Sequence, residues 1–278
     1  MEILQYTFFQ NALIGTLLIS VVAAIIGTYI VIRRMLFIAG GLTHASFGGL
    51  GIGYYTGISP TLSALVFAIT AAMGIDLLSH NKHIREDSAI ALFWAVGMAI
   101  GIIFVFLTPG YTPGLTEFLF GNILSITTTD IVLFAIYTLL LVAFTCLQYR
   151  PILYTAFDSD FAQIIGINAR RINRLMMLFI AIGVVLSIRL IGIMLLLSVL
   201  TLPQIIAEFF TSQYKHMMIL SGIICLIGSI TGLFISSFMA VPSGACIVVV
   251  LVLLYTVIKA IRTIQLRLLH YKASQTRQ

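Results

Sequence analysis

The chain has 278 residues, of which 60% are apolar and 9% charged, with a mean hydropathy of +1.14, a formal net charge of +6 and a pI near 9.4. A soluble domain of this length cannot bury so much apolar surface, which excludes an ordinary globular protein. The excess of base sits at the ends of apolar runs, where it encodes orientation in a membrane, so nucleic acid is not an implied partner.

Crossing the hydrocarbon core takes about 20 apolar residues per helix, and every backbone polar group in lipid needs an internal partner, which leaves helical bundles or closed barrels. The apolar runs here are long and continuous, without the short alternating segments of a barrel. The fold class is therefore all-α, a polytopic transmembrane helical bundle forming one domain over residues 1–278.

In chain order, breaks at polar, Pro and Gly clusters predict spans at about 9–32, 38–57, 60–79, 88–108, 130–149, 174–188, 191–211, 217–238 and 243–264. That makes nine crossings, or eight if the stretch 174–211 around Arg189 is one kinked or re-entrant element. The first run has no basic region before it and ends at Arg33-Arg34, which is the wrong pattern for a cleaved signal. With nine spans, an outside amino terminus puts Arg33, Arg34, Lys82, Arg85, Arg150, Arg170, Arg171, Arg174, Lys215 and the tail on the cytoplasmic side of a bacterial inner membrane. Only Arg189 is then outside.

Within the second span, Gly41, Ala45, Gly49 and Gly53 recur every four residues, a smooth ridge that admits close approach of another helix. His44 and Ser46 lie beside it. An ionisable group inside a span is by default a functional hypothesis, and imidazole is a common ligand for zinc, copper, iron and nickel. The plainer alternative, a histidine bonded to a backbone carbonyl to hold helices together, has equal weight. Asp76 and His80, one turn apart, read as a ligand pair or as a solvated helix end.

Between spans, 109–129 carries the amphipathic run Leu115–Phe120 before Gly121-Asn122 and is expected to be an outer re-entrant or interfacial helix, or else a surface loop. Segment 150–173 is the longest cytoplasmic stretch. Asp158-Ser159-Asp160 is suited to cap a short helix over Phe161–Ile165 and Gly166 to stop it, which makes a docking element.

Late in the chain, Pro203 frees backbone carbonyls within a span, and Pro242-Ser243-Gly244 turns one helix into the next; both devices line substrate paths or simply shape helices. Glu208 faces an inner vestibule or anchors at the interface. Cys146, Cys225 and Cys246 lie in or beside apolar runs with no CxxC and read as packing residues. No phosphate loop, HExxH or GxSxG motif is present. The chain is not expected to be an enzyme, and any ATP hydrolysis belongs to another polypeptide.

Five stretches resemble, in order, the integral permeases of bacterial ABC importers for zinc, manganese and iron: Arg33-Arg34-Met35 with Gly41 to Ser46, Phe118 to Leu124, Asp158 to Ala162 with Gly166, Ile191-Gly192 through Pro203, and Val241 to Gly244. The resemblance implies a second copy of the chain, a cytoplasmic ATPase dimer carrying the ATP, and an extracytoplasmic metal-binding protein. It implies that no cofactor resides on this chain and that a divalent metal is the cargo. It places His44, Ser46, Asn122, Pro203 and Ser243 along the metal path and Asp158, Ala162 and Gly166 at the ATPase-coupling segment, about 155–173.

Two departures from the family pattern bear on the metal. Gly40 stands where the family commonly has an aspartate four residues before the histidine, and Asn122 stands where it often has another. Loss of the hard carboxylate argues against manganese and for zinc or iron. The alternatives are an ABC permease for a metal chelate, such as a siderophore or corrinoid complex, and an ion-coupled secondary transporter, for which the mid-span acids are lacking.

Overall fold

A computed structural model describes residues 6–80, 84–110, 126–239 and 241–275. It is helical almost throughout, with no strand among the described residues. The helices are α1 (Thr7–Ile32), α2 (Leu36–Thr56), α3 (Pro60–His80), α4 (Glu86–Leu107), α5 (Thr128–Leu147), α6 (Tyr149–Phe157), α7 (Ser159–Ile164), α8 (Ala169–Glu208), α9 (Tyr214–Met239) and α10 (Ser243–Gln275).

Eight of these helices are long and apolar enough to cross a membrane. The breaks in the sequence predicted nine spans, or eight if 174–211 is one kinked element; 174–188 and 191–211 are the two arms of one 40-residue element, α8. A straight helix of that length would reach about 60 Å, twice the hydrocarbon thickness of about 30 Å. Gly192 resolves the conflict. Its φ of 74° and ψ of 172° lie in a region open essentially to glycine alone, and α8 breaks there.

The contacts of α8 show that it turns back. Near its start, Asn173 accepts a hydrogen bond from the Tyr29 hydroxyl (2.8 Å) and Arg174 pairs with Asp76 (3.4 Å), at the C-terminal ends of α1 and α3. Just before the break, Arg189 meets Asp130 (2.9 Å) and Thr61 (2.7 Å), at the N-terminal ends of α5 and α3. After it, Gln204 donates to the Ala23 carbonyl (2.6 Å), and Ile206 and Ala207 pack with Val31 and Met217. The element thus leaves and regains the same end of the bundle, in two arms.

That end carries Arg33, Arg34, Arg85, Arg150, Arg170, Arg171, Arg174 and Lys215, and is called the basic end below. Among the described residues the opposite end holds one base, Arg189, neutralised by Asp130.

Helices α1, α2 and α8 are the most enclosed, while α4 and α10 lie at the periphery. Peripheral side chains such as Phe106, Leu139, Leu147 and Phe238 are largely exposed and apolar, as a lipid-facing surface must be. Lipid offers no hydrophobic incentive for helices to associate, so close packing of small residues takes its place. Buried hydroxyls of Thr16, Ser20, Thr43, Ser46, Thr138 and Thr145 donate to carbonyls of their own helices, which satisfies these six groups.

Candidate functional site

His44 sits on α2 eight residues beyond its first residue, about 12 Å along the axis from the basic end. Its half-buried imidazole lies flat against the indole of Trp94 on α4, with centroids 4.4 Å apart and planes 9° apart. Among the described residues neither ring nitrogen meets a hydrogen-bond partner. Trp94 also spans the preceding turn of α2. A Cβ added to Gly40 would lie 3.6 Å from Trp94 Cζ3 and 3.6 Å from Leu197 Cδ2.

Position 40 therefore accepts a Cβ without a clash, so packing against the Cβ does not itself require glycine there. Leu197 belongs to the second arm of α8, so three elements, α2, α4 and α8, converge on the turn from Gly40 to His44. Among the described residues no group of three or more His, Cys, Asp or Glu is gathered to hold a metal ion. The local chemistry is one imidazole with an aromatic backing.

The reason α2 and α4 approach so closely is the set of glycines on both. A Cβ on Gly97 would fall 2.5 Å from Ala45 Cα, and one on Gly101 would strike Phe47. Gly41 faces Ile90, and Gly51 faces Gly101. The ridge read along α2 divides between two neighbours: Gly41 and Ala45 meet α4, whereas Gly49 meets Ser63, Ala64 and Phe67 and Gly53 meets Pro60 on α3. Ser46 is fully buried and donates to the Thr43 carbonyl (2.6 Å), so its hydroxyl is spent within α2.

The other residues singled out in the sequence lie apart from His44. Pro203 is buried on the second arm of α8, beside Gln204 and its bond to α1. Ser243 is buried at the start of α10, at the opposite end from the basic one. Asn122 and the run Leu115–Phe120 lie outside the described residues, as does the side chain of His80. Asp76 pairs with Arg174, and Glu208 is exposed at the end of α8. Cys225 is buried, Cys246 partly so and Cys146 exposed, all three as free thiols.

At the basic end, segment 150–173 is more helical than expected. Residues Tyr149–Phe157 form α6, and the short helix α7 runs Ser159–Ile164 instead of 161–165. The Asp158 carboxylate accepts from the backbone N–H of Asp160 (2.9 Å) and Phe161 (3.0 Å), which starts α7 two residues earlier. Gly166, at φ 85°, closes it: Gly166 N–H bonds the Gln163 carbonyl and Ile167 N–H the Ala162 carbonyl, the paired bonds of a Schellman end. Ala162 is fully buried beneath the segment, while Phe161 and Ile164 are exposed on it.

Three participants escaped the sequence reading. Trp94 is the chain's one tryptophan and stands in no motif, so only proximity reveals it. Gly97 and Gly101, by contrast, form a small-xxx-small pair that was available as a packing signal.

Comparison with known proteins agrees with this architecture. Residues 5–262 match the model of the ABC 3 transport family. The chain is 33% identical over 261 residues to the uncharacterized membrane protein slr2045 of Synechocystis sp., covering 94% of this chain and 93% of the relative. It is 31% identical over 249 residues to the manganese transport system membrane protein MntC of Halalkalibacterium halodurans, covering 90% and 85%. Among solved structures, PsaBC from Streptococcus pneumoniae in complex with Fab superposes with a TM-score of 0.80 at 27% identity, covering 92% of each chain. The chain belongs to the ABC 3 transport family, as a multi-pass membrane permease of the metal ABC importer type.

Proposed function

We propose that this chain is the permease subunit of an ATP-driven importer that moves a transition-metal ion, zinc or iron in preference to manganese, across a bacterial cytoplasmic membrane. The observation that carries the reading is His44, an imidazole inside a span, with no hydrogen-bond partner among the described residues and no carboxylate beside it. A ring nitrogen free of other duties is available to an ion. The indole face of Trp94 favours an imidazole that takes on positive charge from a bound metal, through the negative quadrupole of the ring.

One imidazole is a poor site alone, and a second copy of the chain supplies a second His44. The basic end faces the cytoplasm by the asymmetry of Arg and Lys. There α6 and α7 present a capped element with exposed Phe161 and Ile164 for a partner ATPase, on which the ATP is bound and hydrolysed. A metal-binding protein delivers the ion at the opposite end.

Manganese is the competing reading, because the relative from Halalkalibacterium halodurans is named for manganese transport. The relatives named for manganese transport do not favour the chelate alternative, and a chelate is not proposed. The test is uptake of radiolabelled zinc, iron and manganese by proteoliposomes holding the permease, its ATPase and its binding protein. ATP-dependent zinc or iron uptake exceeding manganese uptake supports the reading. Manganese preference would leave the importer but overturn the metal.

A further inference from the structure

We infer that Arg33 is a coupling residue with two alternative partners, the joint between α6 and α7 in the conformation seen here and Glu86 at the start of α4 in the other. This rests on the reading of α6 and α7 as the element that meets the ATPase.

Arg33 caps the end of α1 and reaches into the joint that follows. One guanidinium nitrogen, Nη1, donates to the Thr155 carbonyl (3.1 Å) and the Ser159 hydroxyl (2.7 Å), the last turn of α6 and the first residue of α7. Ser159 itself donates to Thr155 (3.3 Å), so Arg33 grips a closed local knot. Its Nε is buried with no hydrogen-bond partner among the described residues. A guanidinium carries five N–H donors, and a grip that leaves a buried donor unpaired is one that a second geometry can match.

The second geometry is at hand. Arg33 lines a cavity of ≈ 230 Å³ together with Asp76, Glu86, Asp160 and Arg170. Asp76 is already paired with Arg174 (3.4 Å). Asp160 lies on α7 and Arg170 is a like charge. Glu86 makes no ion pair or hydrogen bond among the described residues but already lies within the electrostatic reach of Arg33, and it is the carboxylate on a helix that leads to the site.

Arg33 and Glu86 stand at the heads of the two helices that carry the stacked pair, His44 on α2 and Trp94 on α4. The next residue, Arg34, is the one non-glycine with positive φ (58°) among the described residues, and stands where a Schellman end ordinarily has glycine: Arg34 N–H bonds Val31 and Met35 N–H bonds Ile30. That constrained joint opens α2, whose His44 lies eight residues beyond Leu36. Glu86 opens α4, whose Trp94 lies eight residues beyond it. Moving the guanidinium from the α6–α7 knot to Glu86 releases the docking element and draws on the two helices that hold the stacked pair.

The test uses the full complex of permease, ATPase and binding protein in proteoliposomes, with uptake of labelled zinc, iron or manganese, whichever the wild type carries, and phosphate release measured together. Arg33→Gln and Glu86→Gln are each expected to lower ions carried per ATP about tenfold, the factor set by one lost charge-assisted hydrogen bond. The double variant should be no worse than the poorer single one, since both remove the same alternation. Glu86→Asp, which keeps the charge, should regain at least half of the wild-type ratio and guards against a folding defect in Glu86→Gln. A wild-type ratio in either single variant, multiplicative losses in the double, or no recovery in Glu86→Asp would overturn the inference. A wild-type complex that carries none of the three metals defeats the functional reading instead.

Discussion

The imidazole of His44 and the indole of Trp94 are stacked at 4.4 Å between centroids, which ties α2 to α4 within the membrane spans. Trp94 is expected to act through this stack. Trp94→Ala should lower detergent stability by about 1 kcal/mol for the lost aromatic pair, beyond the loss of buried area. It should also reduce metal uptake per folded transporter, while Trp94→Phe, which keeps a ring face, retains more of both. Thermal unfolding and radiometal uptake on the same preparations check this; equal uptake in the alanine and phenylalanine variants would remove the ring from the site.

The interlock of α2 and α4 has its own signature. A Cβ on Gly97 meets the backbone of Ala45, which has no flexible end to yield. Gly97→Ala should destabilise the protein by about 1–3 kcal/mol, the usual range for overpacking. Gly40→Ala, whose nearest neighbours lie at 3.6 Å, should be tolerated. Chemical or thermal unfolding of the two variants in one detergent makes the comparison, and equal stabilities would contradict the packing account.

At the basic end, the cap and the stop of α7 are separable. Asp158→Ala removes both accepted hydrogen bonds and should cost about 1 kcal/mol locally. Gly166→Leu forces a branched side chain into a left-handed conformation (φ 85°), which only glycine adopts freely. Membrane insertion should survive in both, whereas copurification of the ATPase and transport per ATP should fall, more in Gly166→Leu. Normal transport in that variant would count against α7 as the coupling element.

The legible and illegible parts of this protein divide by interaction range. Hydropathy placed most of the membrane spans within a few residues, because a span needs only local composition, though it missed α6 and the extension of α10 to Gln275. Asp158 and Gly166 were readable as cap and stop because both work through backbone groups within five residues. The stretch 174–211 was readable as one kinked element, but what anchors its bend was not, since Arg189 is held by Asp130 and Thr61, far away in sequence. Trp94 beside His44 is likewise a contact between helices separated by 50 residues, which no periodicity encodes. Arg33 read as a topology signal and proved to have specific partners in Thr155 and Ser159.

The central claim, that the ion passes His44 and that the absence of a carboxylate at position 40 sets the metal preference, is tested most directly by one measurement. Uptake of labelled zinc, iron and manganese per folded transporter is compared among wild type, His44→Ala and Gly40→Asp in the reconstituted complex. A carboxylate at 40 lies one turn before the imidazole, its Cβ making ordinary contact with Trp94 and Leu197, and oxygen ligands suit manganese better than imidazole alone. The account predicts near loss of uptake per folded transporter in His44→Ala, with a stability loss no larger than the about 1 kcal/mol of the lost stack, and a shift toward manganese in Gly40→Asp. Unchanged uptake per molecule in His44→Ala would contradict it.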